Sequence, residues 1–147
     1  MGLIDDVGVG PVALDTCVFI YFIEEHERYF DIVRPLFEAI DIGRLAAVTS
    51  SLTLMETLVL PYRQGEMRLL EEYQTILTNS HGLKMAGLSL AVLNIAASLR
   101  ARTGMRTPDA LQIASAVHNR CTAFVTNDRR LPNAAGLPII QIGDYAA

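Results

Sequence analysis

The sequence predicts an α/β domain with a mainly parallel sheet. Short apolar runs alternate with longer stretches of helical periodicity, two of the runs stop at or just before an aspartate, and apolar residues make up 51% of the chain. Strands covered by helices on both faces read as continuous apolar runs, because neither side of the strand meets water.

The first run, Pro11 to Asp15 (PVALD), is a buried strand that stops at a carboxylate. Thr16 to Phe22 (TCVFIYF) carries on as a helix and ends in the solvent-facing Glu24-Glu25-His26-Glu27. From Tyr29 to Ile42, Ile32, Leu36, Phe37 and Ile40 recur at helical steps, and Gly43 stops the pattern. Leu45 to Thr49 (LAAVT) is the second strand. Ser50-Ser51 caps the next helix, which is expected to run to about Leu60, before Pro61. Glu66 to Leu77 is a further helix, Asn79-Ser80-His81-Gly82 a turn, and Leu83 to Ala86 a short strand. Ser89 to Arg102 is a Leu/Ala-rich helix stopped by Gly104. Thr107-Pro108-Asp109 reads as a helix start with Thr107 as the cap, and that helix ends near His118. Thr122 to Thr126 (TAFVT) is a strand, and Leu137 to Ile142 (LPIIQI) is another, placed at an edge by Pro138.

No repeat, linker or low-complexity tract divides the 147 residues, so one domain is expected over 1–147. The net charge of −4, from 16 acids and 12 bases, excludes a generic basic coat for nucleic acid. A mean hydropathy of +0.31 is high for a chain of this size, which suits a doubly covered sheet plus a subunit or partner interface. Cys17 and Cys121 lack metal-site spacing and read as reduced core residues. With no signal peptide and no apolar run long enough to span a bilayer, the expected location is the cytoplasm.

Four acids fall where solvent is not expected. Asp15 ends one buried strand and Asp128 follows another, and ligands gather beyond the carboxyl ends of parallel strands. Glu56 lies among Leu52, Met55 and Val59 on what looks like the inward stripe of its helix. Asp109 sits one turn before Ile113, on the face defined by Ala110, Ile113, Ala114 and Val117. Each acid alone has an ordinary reading: Asp15 as an acid that merely ends a strand, Asp109 as a first-turn complement to the helix dipole, Asp128 as a turn or cap residue, Glu56 as a side chain reaching out past its stripe. Together they point to one pocket. Two like charges ~4 Å apart repel by about 4 kcal/mol at an effective dielectric of about 20, so several carboxylates share a pocket only with a cation. An all-oxygen set without histidine or cysteine selects a hard divalent ion, one or two of magnesium or manganese beside a phosphate.

The segments VALDTCVFIYF, TSSLTLMETL, TPDALQIASAV and TAFVTND resemble the four acidic motifs of PIN-domain ribonucleases, and the compact size is most similar to the VapC toxins of toxin–antitoxin pairs. The resemblance runs from about Pro11 to Ile142, the expected core, and rests on order, spacing and setting rather than on any single motif. It implies a three-layer domain with a five-stranded parallel sheet in the order 3-2-1-4-5 flanked by helices, in which the first and fourth strands bring Asp15 and Asp128 together. It also implies that Asp15, Glu56, Asp109 and Asp128 form a catalytic magnesium site, with manganese as a substitute and with the hydroxyls of Thr16 and Thr126 as supporting groups. Cys17 departs from the Asn or Ser that many relatives carry beside the first aspartate.

Arg106 precedes Asp109, and Arg129-Arg130 follow Asp128, so basic side chains bracket the acids as an RNA backbone would require. His26, His81 and His118 offer no obvious catalytic base, so hydrolysis by activated water is expected to leave a 5′-phosphate and a 3′-hydroxyl. The resemblance further implies a homodimer, and an antitoxin that covers the apolar surface near the first helices and places a basic side chain in the acidic pocket. The competing readings are a housekeeping RNA-processing nuclease, a metal-dependent DNA nuclease and a non-catalytic PIN-like binding module. A receiver domain is disfavoured because the lone lysine, Lys84, stands in the wrong place.

Overall fold

The computed structural model describes residues 2–133 and 135–147. In chain order the elements are α1 (Leu3–Val7), β1 (Val12–Leu14), α2 (Thr16–Ile23), α3 (Phe30–Asp41), β2 (Ala47–Ser50), α4 (Leu52–Gln64), α5 (Met67–Asn79), β3 (Leu83–Ala86), α6 (Leu90–Thr103), α7 (Thr107–His118), β4 (Ala123–Thr126) and β5 (Ile139–Gln141), followed by a 3-10 turn (Ile142–Tyr145). The five strands form one sheet in the order β3-β2-β1-β4-β5. All neighbours are parallel, with Val12 opposite Ala47 on one side and Ala123 on the other.

Alternation along the strands divides the core between the two faces. Val12 and Leu14 of β1 and Val125 of β4 pack with α1 to α5, around Phe19, Leu36 and Tyr73. Ala13 and Phe124 point the other way, onto Ile113 and Ala114 of α7 and Leu99 of α6. The central strands β1, β2 and β4 are buried throughout, as a sheet between two helix layers requires. The sequence order of the strands reverses beside β1, and that switch point opens a crevice beyond the carboxyl ends of β1 and β4.

Several local expectations need correction. Helix α4 does not stop before Pro61 but runs on to Gln64. Pro61 is buried in its final turn, where the packing of the ring offsets the lost backbone bond, and Gly65 closes the helix at φ 69°. Thr107 is the first helical residue of α7 rather than its cap; Arg106 takes the cap position and makes no side-chain capping bond. Tyr29 and Ile42 flank α3 instead of belonging to it, and the edge strand β5 shrinks to Ile139–Gln141. Helix α1 has no counterpart in the sequence reading. Its five residues are too short for a periodic signal, and it is held by burial of Leu3 and Val7 one turn apart.

Candidate active site

The end of β1 places the first acid. Asp15 is the N-cap of α2: Oδ1 accepts from the Thr16 amide at 2.8 Å, which satisfies one of the free donors of that helix. Oδ2 accepts from the Thr126 hydroxyl at 2.7 Å, so the last residue of β4 holds the other half of the carboxylate. Burial pushes the Asp15 pKa up. Its two hydrogen bonds work against that, while the nearby charges of Glu56 and Asp109 add to it.

Helix α4 brings Glu56 to the same place. Its Oε1 accepts from the Thr16 hydroxyl at 2.6 Å and lies 3.4 Å from Gln112 Nε2 of α7. The stripe that singled out Glu56 is nevertheless turned: Met55 and Val59 are 59% and 46% exposed, whereas Leu52, Thr53, Thr57, Leu58 and Pro61 are buried. Glu56 flanks the inward face because Thr53, one turn before it, is wholly buried.

The other two acids lie where helix α7 and the segment after β4 meet the crevice. Asp109 pairs with Arg106 Nε at 3.2 Å, and its side chain is 20% exposed. Asp128 receives both Nε and Nη2 of Arg130 at 3.0 Å, and its amide donates to Thr126 Oγ1 at 3.1 Å. The Arg130 guanidinium holds the Asp128 carboxyl below the usual carboxylate range, and Arg106 adds to the effect. The third predicted arginine, Arg129, pairs with Asp144 instead. Asp15, Tyr21, Asp128 and Arg130 line a cleft of about 340 Å³. Arg106, Asp109 and Arg130 line a neighbouring one of about 330 Å³, so Arg130 borders both.

The structure thus places Asp15, Thr126 and Asp128 on one cleft and Asp109 on its neighbour, with Glu56 joined to them through Thr16 and with Arg106 and Arg130 bound to Asp109 and Asp128. The donor set is all oxygen, and the half-buried Asp15 with two anions nearby suits a hard divalent cation. As the side chains lie, no three described His, Cys, Asp or Glu residues converge tightly enough to hold an ion, and Asp109 and Asp128 are each paired with an arginine. Cys17 lines the same cleft, and burial, with Asp15 adding to it, pushes its thiol up to about 12.

Sequence reasoning missed the polar residues beneath the acids. Thr49, Thr53 and Gln112 are 2%, 0% and 4% exposed and form a hydrogen-bonded chain under Thr16 and Glu56. A usable signal was present. Thr53 and Glu56 on α4, and Asp109 and Gln112 on α7, are both i,i+3 pairs and therefore share a helix face. Asn127 is a second omission: its Nδ2 donates to Tyr21 and its Oδ1 accepts from Gly143.

Comparison with solved structures finds the same fold. VapBC2 of Rickettsia felis, bound to a DNA fragment from its promoter, superposes with a TM-score of 0.70 at 17% identity, over 88% of this chain and 97% of that one. VapC20 of Mycobacterium tuberculosis, a Sarcin-Ricin loop cleaving toxin, gives 0.63 at 16% identity, over 77% and 86%. DNA-bound VapBC of Salmonella typhimurium gives 0.61 at 22% identity, over 89% and 97%. No curated protein matches the sequence. The sequence model of the PIN domain matches residues 12–137, from β1 to beyond Asp128. By that match and by its sheet order, the chain belongs to the PIN domain family.

Proposed function

We propose that the protein is a magnesium-dependent endoribonuclease of the VapC type, the toxin of a toxin–antitoxin pair. The observation that carries this reading is the half-buried Asp15 at the end of β1, whose pKa is raised by burial and by the neighbouring charges of Glu56 on α4 and Asp109 on α7. Asp15, Glu56, Asp109 and Asp128 are the residues that hold the metal, Asp15 and Asp109 being its firmest ligands, with manganese as a substitute. When bound, the ion supplies a water acidic enough to attack at neutral pH and neutralises charge on the scissile phosphate.

The chain's own residues do the rest. Thr126 and the Thr16 amide fix the rotamer of Asp15, and Thr16 fixes Glu56. Asp109 and Asp128 are paired with Arg106 and Arg130, and with those acids on the metal the two guanidinium groups would be available to hold neighbouring phosphates. RNA is the proposed substrate, with 5′-phosphate and 3′-hydroxyl products.

The structural neighbours that are toxin–antitoxin complexes support an antitoxin partner. An apolar pocket of about 290 Å³ between α2, α3 and α5, lined by Phe22, Phe37, Ile40 and Ile76, suits such a chain. The exposed Met55, Val59, Leu60 and Tyr62 of α4 suit the proposed homodimer. No helix of the described residues is long and apolar enough to cross a membrane, and a cytoplasmic location is part of the proposal.

The test incubates partner-free protein with labelled structured RNA and matched DNA, in magnesium, manganese or EDTA, beside Asp15→Asn and Asp109→Asn. Metal-dependent RNA cleavage that both substitutions abolish is the expected result. Cleavage of DNA alone would overturn the substrate and keep the site. Failure to bind any metal would favour a non-catalytic PIN-like module.

A further inference from the structure

We propose that Gln112 is the positioning residue of this site, holding Glu56 and Thr16 in place through hydrogen bonds that can run in only one direction. The proposal rests on the nuclease reading above. Gln112 is 4% exposed on α7, one turn beyond Asp109. Its Nε2 lies 2.9 Å from Thr53 Oγ1, 3.3 Å from Thr16 Oγ1 and 3.4 Å from Glu56 Oε1.

The direction follows from counting protons. Each threonine hydroxyl has one proton to give. Thr49 gives its proton to the Leu14 carbonyl at 2.9 Å, so Thr53 is the donor across the 2.8 Å contact between Thr53 and Thr49. Thr16 gives its proton to Glu56 Oε1 at 2.6 Å. Neither hydroxyl then has a proton for the other, and the 3.3 Å contact between Thr16 and Thr53 is between two acceptors. Gln112 Nε2 is the donor that both oxygens face. One of its N–H bonds serves Thr53, and the other is shared by Thr16 and Glu56.

The chain therefore runs from Leu14, the last residue of β1, through Thr49 of β2 and Thr53 of α4 to Gln112 of α7. It joins the strand end next to Asp15 to the helices that carry Glu56 and Asp109. Without the amide, the buried Thr53 oxygen and the half-buried Thr16 oxygen face each other with no donor between them, and Glu56 keeps only the proton from Thr16. Few side chains can replace it. Glutamate at this position would bring a second anion against Glu56, and asparagine would draw the donors back by one methylene. The amide touches no reacting atom in this scheme, so it acts through Glu56 and Thr16 by holding their oxygens at fixed directions.

The experiment compares wild-type protein with Gln112→Met, which keeps length and bulk and removes the donors. Ser115→Ala is the control, since Ser115 is equally buried on α7 but its hydroxyl donates only to the Leu111 carbonyl of its own helix. Manganese affinity is read by electron paramagnetic resonance without substrate, kcat and KM on RNA are read separately, and circular dichroism confirms the fold. For Gln112→Met, manganese affinity and kcat are each expected to fall by about 10–100-fold, with KM little changed. The control should move neither. Gln112→Asn gives the same reading should the apolar variant not fold, and the same loss is expected. A folded Gln112 variant that binds manganese and turns over like wild type overturns the positioning role alone. Wild-type protein that binds no manganese overturns the nuclease reading and this role together.

Discussion

The Thr126 hydroxyl donates to Asp15 Oδ2 over 2.7 Å and accepts from the Asp128 amide, so one side chain at the end of β4 steadies two of the acids. Thr126→Val keeps the shape and removes both bonds. Because the Thr126 hydrogen bond lowers the Asp15 pKa, its loss moves that pKa further up. The acidic limb of the pH–activity profile is then expected to shift to higher pH. Manganese affinity should fall about tenfold, with the larger loss in mildly acidic buffer. An unshifted acidic limb would separate Thr126 from Asp15.

Asp15 is expected to oppose the stability of the metal-free fold. Its folded pKa lies above the ordinary value of 3.8, so the unfolded chain ionises first as pH rises. Stability from the protonated form is complete below the unfolded pKa and is lost as pH rises through the folded one. In EDTA at neutral pH, Asp15→Asn should therefore melt higher than wild type, each 1 kcal/mol raising Tm by roughly 2–4 °C. The gap should close in acid, which calorimetry across a pH series would read. A lower Tm for the variant at neutral pH would contradict the burial account.

Arg130 offers a contrast between stability and binding. Its side chain is 73% exposed, and exposed ion pairs contribute little even when two-pronged. Arg130→Ala should leave the urea midpoint close to that of wild type. It should weaken binding of single-stranded RNA and lower the salt slope of log K by about 0.7, as expected for one lost phosphate contact. Filter binding across a salt series checks both, and an unchanged slope would remove Arg130 from the RNA path.

Gly10 controls the entry to β1. Its φ is +81°, and a Cβ there would meet the Ala46 carbonyl at 2.4 Å, the same oxygen that accepts from the Val12 amide. Gly10→Ala is expected to destabilise by at least about 1–3 kcal/mol, read as a lower urea midpoint at unchanged slope.

How far the sequence disclosed this site depended on the kind of signal. Asp15 and Asp128 were legible because a carboxylate that stops an apolar run contrasts with everything before it. Glu56 was picked out by a helical stripe that the structure rotates: Thr53 and Thr57 face inward where Met55 and Val59 were expected. Threonine misleads periodicity because it looks polar while its hydroxyl is satisfied inside the fold, Thr57 bonding back to the Thr53 carbonyl at 2.9 Å. Gln112 escaped notice for a related reason, since a buried amide is recognisable only once its acceptors on two other elements are known. The sheet order, implied by the resemblance alone, matches the structure strand for strand.

The sheet order also governs when the protein can begin to work. The central strand β1 is made well before its partner β4 and the Thr126 hydroxyl, Thr126 and Asp15 being 111 residues apart. Chains emerge from the ribosome at roughly 5–20 residues per second, and contacts this distant form only after both ends are available. A growing polypeptide therefore carries Asp15 through the synthesis of a further 111 residues without the neighbour that holds it. If the product is a toxin, the translating cell is shielded from it by topology until residue 126 has emerged.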